Sequence, residues 1–507
     1  MRRTLALFAF GLLFFALTSC ETNPQREERL AKQYCGGCHL FPQPSLLDKA
    51  TWAQKVLPQM AFRMGFSNYE IMGNISPNDL PIVMETIPSK PMVSQEEWEA
   101  ITNYFIENSP DSLVIEDKNL TNTLEQFEVF PSGSFKTPFV TLIKFDTLNR
   151  KLYVGTRASH LYELDEKLAV IDSLQLNSPP SHIAFEQDQK IISVMGIMDP
   201  NDQSKGELVR LMNSSKNTSS VVDSLQRPVY FEKTDLNKDG YDDIVVCAFG
   251  NFTGALLLLE GKSNKTFVKH SLNSMPGARK TIVRDFNRDG LNDILVLMTQ
   301  GDERLVLYIN KGDLRFEEKT LLRFPPVYGS SYFEIADFNK DGYEDIVYVN
   351  GDNGDYSITL KPYHGLRIFE NDGENNFQET WFFSMPGASQ TSAMDFDGDG
   401  DLDIAAIAFF PDFRDHPEQG FIYFENAGEN KFIPHTTKVA ASGRWLVMET
   451  ADYDSDGDTD LILGSANFRG LGFNGGPEWP KGQGTLLIFQ NKEISNPVRI
   501  KEKNLQK

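Results

Sequence analysis

From residue 140 onward the apolar residues come in short runs of four to six, broken by polar turns. Examples are Lys151-Leu152-Tyr153-Val154, Asp293-Ile294-Leu295-Val296-Leu297, Arg304-Leu305-Val306-Leu307-Tyr308-Ile309 and Gly420-Phe421-Ile422-Tyr423-Phe424. Runs of this length, rich in β-branched and aromatic residues, predict buried strands rather than helices. The strands repeat in a fixed order. One enters an acidic loop, a second leaves it, a third follows, and a fourth is aromatic at its ends, as in Phe377-Gln378-Glu379-Thr380-Trp381. From one acidic loop to the next the step is 50 to 58 residues. Four short strands per unit of that size predict a β-propeller blade. Two earlier units keep the strands and lack the acidic loop; they centre on Ile143-Lys144-Phe145 and His182-Ile183-Ala184-Phe185. The count is then seven blades.

The first hundred residues read differently. Arg26 to Tyr34 predicts a short helix with Leu30 and Tyr34 on one face. Ser94-Gln95-Glu96-Glu97 is a capped helix start, and Trp98, Ile101 and Phe105 follow at helical spacing. Before them, Arg2 and Arg3 precede the apolar run Leu5 to Leu17, too short to span a bilayer comfortably. The run ends in Leu17-Thr18-Ser19-Cys20, which resembles a bacterial lipobox. That resemblance implies an exported protein, lipidated at Cys20 and tethered to a bacterial membrane on the periplasmic or outer surface. The expected organisation is a signal peptide at 1–19, a small all-α domain at 20–110, a polar linker at 111–126, and an all-β seven-bladed propeller at 127–507.

Between the two predicted helices lies Cys35-Gly36-Gly37-Cys38-His39. Two thiols at this spacing can form thioethers to the vinyl groups of one haem, and the adjacent imidazole can reach the iron. A zinc site would need a second ligand pair, and a redox dithiol a βαβ context; the flanking sequence offers neither. With its two helices, this segment resembles a monohaem cytochrome c domain. The resemblance implies one covalent haem c held by Cys35, Cys38 and His39, with a methionine as sixth ligand. Met60 is the first choice, because Pro58 should break a helix and aim Met60 from an irregular turn. Met92 is the second, and Met64, Met72 and Met84 are the others. The carbonyl of Pro42 or Pro44 is expected to accept the His39 Nδ1 proton.

The acidic loops have chemistry of their own. Their side-chain oxygens stand at positions one, three, five and nine, with a glycine at six. The five sets are Asp235, Asn237, Asp239, Asp243; Asp285, Asn287, Asp289, Asp293; Asp337, Asn339, Asp341, Asp345; Asp395, Asp397, Asp399, Asp403; and Asp452, Asp454, Asp456, Asp460. Hard oxygen ligands at this spacing suit Ca²⁺, giving about five ions. The repeats resemble the FG-GAP or VCBS type, including Phe249-Gly250 after a second strand, and that family implies propellers. The formal net charge is −22, and the seventeen carboxylates of these sets are comparable with most of it. The acidity therefore needs no cationic partner, and it argues against nucleic acid.

Propeller geometry sends the acidic loops to one face and the long loops, with the blade-to-blade links, to the other. The second face gathers Arg157, Arg279, His364, Arg414, His416, Arg444 and Arg469, and is expected to bind a partner or an anionic or sugar-like ligand. The haem domain or its redox partner is expected to dock there. Two functions follow. One is electron transfer coupled to binding of a redox partner protein or small molecule. The other is a haem-linked oxidoreductase with its substrate on the loop face. A surface adhesin with a vestigial haem is a third. There is no nucleophile–base spacing, so no catalytic residue is assigned and a hydrolase has no support.

Overall fold

The computed structural model describes residues 22–492, apart from 117, 119, 121–123, 132–134, 136, 138, 355–358 and 467–484. Cys20, the signal segment and Arg469 lie outside the described residues.

The N-terminal unit is helical: α1 (Asn23–Cys35), α2 (Lys49–Thr51), α3 (Leu57–Arg63), α4 (Tyr69–Asn74), α5 (Leu80–Thr86) and α6 (Gln95–Asn108). The α1 and α6 helices pack on each other and carry an Arg26–Glu96 ion pair at 3.0 Å. The Ser94 capping box forms: Glu97 N donates to Ser94 Oγ at 3.2 Å and Ser94 N to Glu97 Oε2 at 2.9 Å. Leu30, Ala31, Trp52, Leu57, Ile101 and Phe105 make the core of this unit. The expectation that Pro58 breaks the chain into a turn is corrected. A π-helical turn, Trp52–Val56, runs straight into α3, where Pro58 stands in the first turn. Its missing N–H falls where the continuous helix changes from π to α, and the chain does not break there.

Seven four-stranded antiparallel sheets follow. Six are built from consecutive strands, over 140–175, 180–225, 228–273, 278–323, 330–384 and 388–435. The seventh joins Trp445–Ala451, Asp460–Ser465 and Leu486–Asn491 to a fourth strand from far upstream, Phe127–Pro131. Phe127 pairs with Asn491 and buries its ring against Phe396, Tyr423 and Phe489. This clasp closes the ring of blades. Second strands such as Asp293–Met298 are buried at every residue, because neighbouring blades cover both faces; this is why they read as unbroken apolar runs. Outer strands such as Phe316–Arg323 keep one face in solvent. The first strand of every blade starts with a register shift, as between Ala278 and Lys280. Arg279 is the extra residue there, a device that re-aims a side chain.

The acidic loops join first to second strands on one face. The helical unit sits on the opposite face. Phe252, in a second-to-third-strand loop, packs against Phe62, Ile71 and Val83, with the Arg63 guanidinium 4.1 Å over its ring. Tyr363 donates its hydroxyl to Leu46 O at 3.1 Å. Val327, between the fourth and fifth blades, joins the helical core. The described part of 111–126 runs along the propeller: Gln419 donates to Lys118 O, and Leu120 and Leu124 pack on blade clusters.

Candidate functional site

The α1 helix ends at Cys35, and the chain turns through Gly36 so closely that a Cβ there would stand 2.6 Å from Lys32 O. That turn presents the two cysteines, both free thiols. Burial pushes the Cys35 thiol up to about 12, helped by the nearby Cys38. The His39 Nδ1 lies 3.1 Å from Leu40 O. A proton held there leaves Nε2 with a free lone pair, and burial lowers the ring's pKa, which favours the neutral form. The expected proline acceptors are corrected. Pro44 O already takes Trp52 Nε1 at 2.8 Å and Ser109 Oγ at 3.0 Å, while the carbonyl of Leu40, next in the chain, is the one near His39. The residues fit a haem c: two unpaired thiols, an oriented imidazole, and an apolar core beside them.

Of the five methionines weighed for the sixth ligand, Met60 is the one that packs in the cluster containing Cys35. Met92 is 54% exposed and Met84 41%. Met72 belongs to the separate cluster around Phe62.

The first three acidic loops fold alike. Asp235 accepts from Asp239 N and Gly240 N, and Asp239 accepts from Tyr241 N. The last aspartate of each set is buried and clamps the blade. Asp243 takes Leu236 N at 2.9 Å and Gly261 N at 2.8 Å, tying the loop's start to the end of the third strand. Asp293, Asp345, Asp403 and Asp460 do the same. The sequence assigned this position only a ligand role. Burial pushes Asp345 and Asp460 up to about 6 and Asp403 to about 7. Buried carboxylates of this kind hold either a proton or a cation. In the fourth and fifth loops Asp395, Asp397 and Asp403, and Asp452, Asp454 and Asp460, bring ligand oxygens within 4.8 Å of one another. In the first three the Asn amide nitrogen turns to its neighbour instead, as Asn237 Nδ2 does to Asp239 at 3.1 Å.

Three stretches of the chain, 235–296, 285–348 and 395–463, match the FG-GAP-like repeat. The chain carries FG-GAP-like repeats. Integrin alpha-PS5 of Drosophila melanogaster is 32% identical over 140 residues, and integrin alpha-4 of Xenopus laevis 28% identical over 142. These matches cover 24% and 25% of this chain, which spans only 14% of either integrin's length. Among solved structures the N-terminal domain of Nup159 aligns over 74% of this chain and 98% of its own, with a TM-score of 0.42 and 12% identity.

The expected loop-face residues have unlike surroundings in the propeller. Arg157 pairs with Asp199 at 2.6 Å. Arg414 stands in solvent, its side chain 90% exposed, and His416 lies 3.5 Å from Glu418. His364 is fully buried, and neither ring nitrogen has a hydrogen-bond partner among the described residues. Burial lowers Arg279, opposed by the nearby Asp352. Arg444 lies over Phe409, Phe410 and Phe413, and burial lowers it to about 10. Of the seven, Arg414 is a solvated loop residue, His364 is interior, and Arg469 lies outside the described residues.

What faces the C-x-x-C-H segment carries no mark in the sequence. Cys38 shares a cleft with Met298, Gln300, Asp302 and Arg304 of the fourth blade and with Met275 in the link that leads into it. No local signal marks these residues, because only the docking of the two units brings them to Cys38.

Proposed function

We propose that this protein is an exported, lipid-anchored electron-transfer protein, in which a cytochrome c-like helical unit works together with a calcium-stabilised propeller. One observation carries the reading. The C-x-x-C-H segment ends α1 with both thiols free, and His39 is oriented through Nδ1, leaving Nε2 as the available nitrogen. Cys35 and Cys38 would hold the haem, His39 would bind the iron, and Met60 would supply the sixth ligand. The haem, when bound, supplies a one-electron couple. The chain's own residues fix the ring of His39, shield the site behind Trp52 and Phe105, and hold it against the propeller. The acidic loops would each take Ca²⁺, and Cys20 would carry the lipid. Among the described residues no helix is long and apolar enough to cross a membrane.

The test is a redox titration of the purified full chain made with haem c maturation. A low-spin spectrum with one reversible one-electron step supports the reading. Met60→Ala should give a high-spin spectrum and a lower potential. A Met60→Ala spectrum identical to the wild type, with a changed one for Met92→Ala, moves the ligand to Met92.

The oxidoreductase alternative draws on one specific feature: Arg279 and Arg444 are drawn in from solvent on the loop face, not spread on a flat surface. A substrate that reduces the wild-type haem but not the Arg279→Gln haem, at equal melting temperature, would favour it.

A further inference from the structure

The cleft at Cys38 has a volume of about 180 Å³ and is walled on the propeller side by the fourth blade. Two of its wall residues are charged. Asp302 is pinned between two guanidinium groups: Arg323 Nε at 2.6 Å and Arg304 Nε at 3.3 Å. Arg304 also binds Glu318 at 2.8 Å. Two carboxylates and two guanidiniums thus make a compact network, and the Asp302 and Arg304 side chains are only 16% and 18% exposed. Charges fixed at the edge of a poorly solvated site are weakly screened and act over many ångströms.

Resting on the haem reading above, we propose that blade four is part of the redox site: Asp302 and Arg304 are positioning residues that set the potential of the haem edge joined to Cys38. A carboxylate beside that edge favours the more positive ferric state, and a guanidinium favours the ferrous state. The network is close to neutral as built. Removing either member leaves a net charge facing the haem. The propeller then tunes the electron carrier as well as displaying loops.

The two signs make the test specific. Asp302→Asn should raise the midpoint potential, and Arg304→Gln should lower it. Each change should be on the order of threefold to tenfold in the equilibrium constant for reduction at low ionic strength, and smaller in salt. Asp302→Glu should restore the wild-type value. Asp313→Asn, an exposed carboxylate on the third-to-fourth-strand turn of the same blade, should leave it unchanged. A purely structural role would not give shifts of opposite sign. Identical potentials for Asp302→Asn, Arg304→Gln and the wild type would overturn the proposal. A second arm needs no haem. In the chain made without haem maturation, Met275→Trp should fill the cleft and slow alkylation of Cys38 by iodoacetamide, followed by peptide mass. An unchanged rate means blade four does not wall Cys38, and this overturns the proposal even if the haem attaches. Slowed alkylation in a chain that never takes haem keeps the cleft but overturns the redox role together with the haem reading.

Discussion

The backbone amide of Asp202 in the propeller donates to Asp79 Oδ1 of the helical unit at 3.3 Å. Both residues are buried, and Asp202 Oδ1 also accepts from Phe252 N and Thr253 N at 2.8 and 2.7 Å. One aspartate therefore orders the loop that carries Phe252 into the helical unit. Docking rests on aspartate carboxylates that accept backbone N–H groups and on a half-buried ring.

Phe252→Ala should loosen that contact. It removes the edge-on partner of Phe62 and the surface under Arg63. Amide exchange in α3, α4 and α5 should quicken severalfold, while exchange in the second strands of the blades stays the same. Equal protection in both regions would show that Phe252 does not hold the units together.

Closure of the ring should depend on Phe127. Phe127 is 2% exposed, and among the described residues its strand pairs along Leu487–Asn491. Phe127→Ala should cost about 3–5 kcal/mol in chemical denaturation. A loss below about 1 kcal/mol would mean the clasp is dispensable.

Calcium removal should lower the propeller's melting temperature, since ions that bind only the folded state stabilise it by mass action. Asp397→Asn or Asp454→Asn should remove more of the chelator-sensitive part than a change at Asn237, because the fourth and fifth loops bring three carboxylates together. A melting curve indifferent to chelator, with no calcium in metal analysis, reduces the loops to plain turns such as the one at Asp146, which accepts from Leu148 N and Asn149 N.

Glu303 gives a pH dependence. It is buried, and burial raises it to about 7, although Gly329 N and Ser330 N donate to it at 3.1 and 2.7 Å. The folded state then binds this proton more tightly than the unfolded chain, whose carboxyl titrates near its ordinary value. Its contribution is fully present at acid pH and is lost as pH rises through about 7. Stability of the wild type should fall more steeply than that of Glu303→Gln from pH 5 to 8 in denaturant titrations. Parallel curves would show that Glu303 is ionised throughout.

The blades were legible because period and burial coincide. A strand covered on both faces, such as Asp345–Asn350, reads as an apolar run, and each acidic loop punctuates one. The first two blades were legible without that loop, from strands alone. The clasp was not legible, because Phe127–Pro131 looks like any short strand until the seventh blade is seen to need a fourth. Pro58 misled because the π turn before α3, a tertiary accommodation, has no sequence mark. His364 read as a surface ligand because loop residues usually are; its side chain is instead fully buried. The Cys38 cleft joins residues about 240 to 270 positions apart, so no window along the chain contains it.

Covalent haem attachment at Cys35 and Cys38 is the decisive measurement. Intact mass of the chain made with haem c maturation, followed by proteolysis, locates it. The account predicts the mass of one haem, resistant to acid–acetone extraction and mapped to the peptide bearing Cys35 and Cys38, with Cys35→Ser/Cys38→Ser colourless. A folded, colourless chain whose Cys35 and Cys38 remain free thiols under those conditions would contradict it.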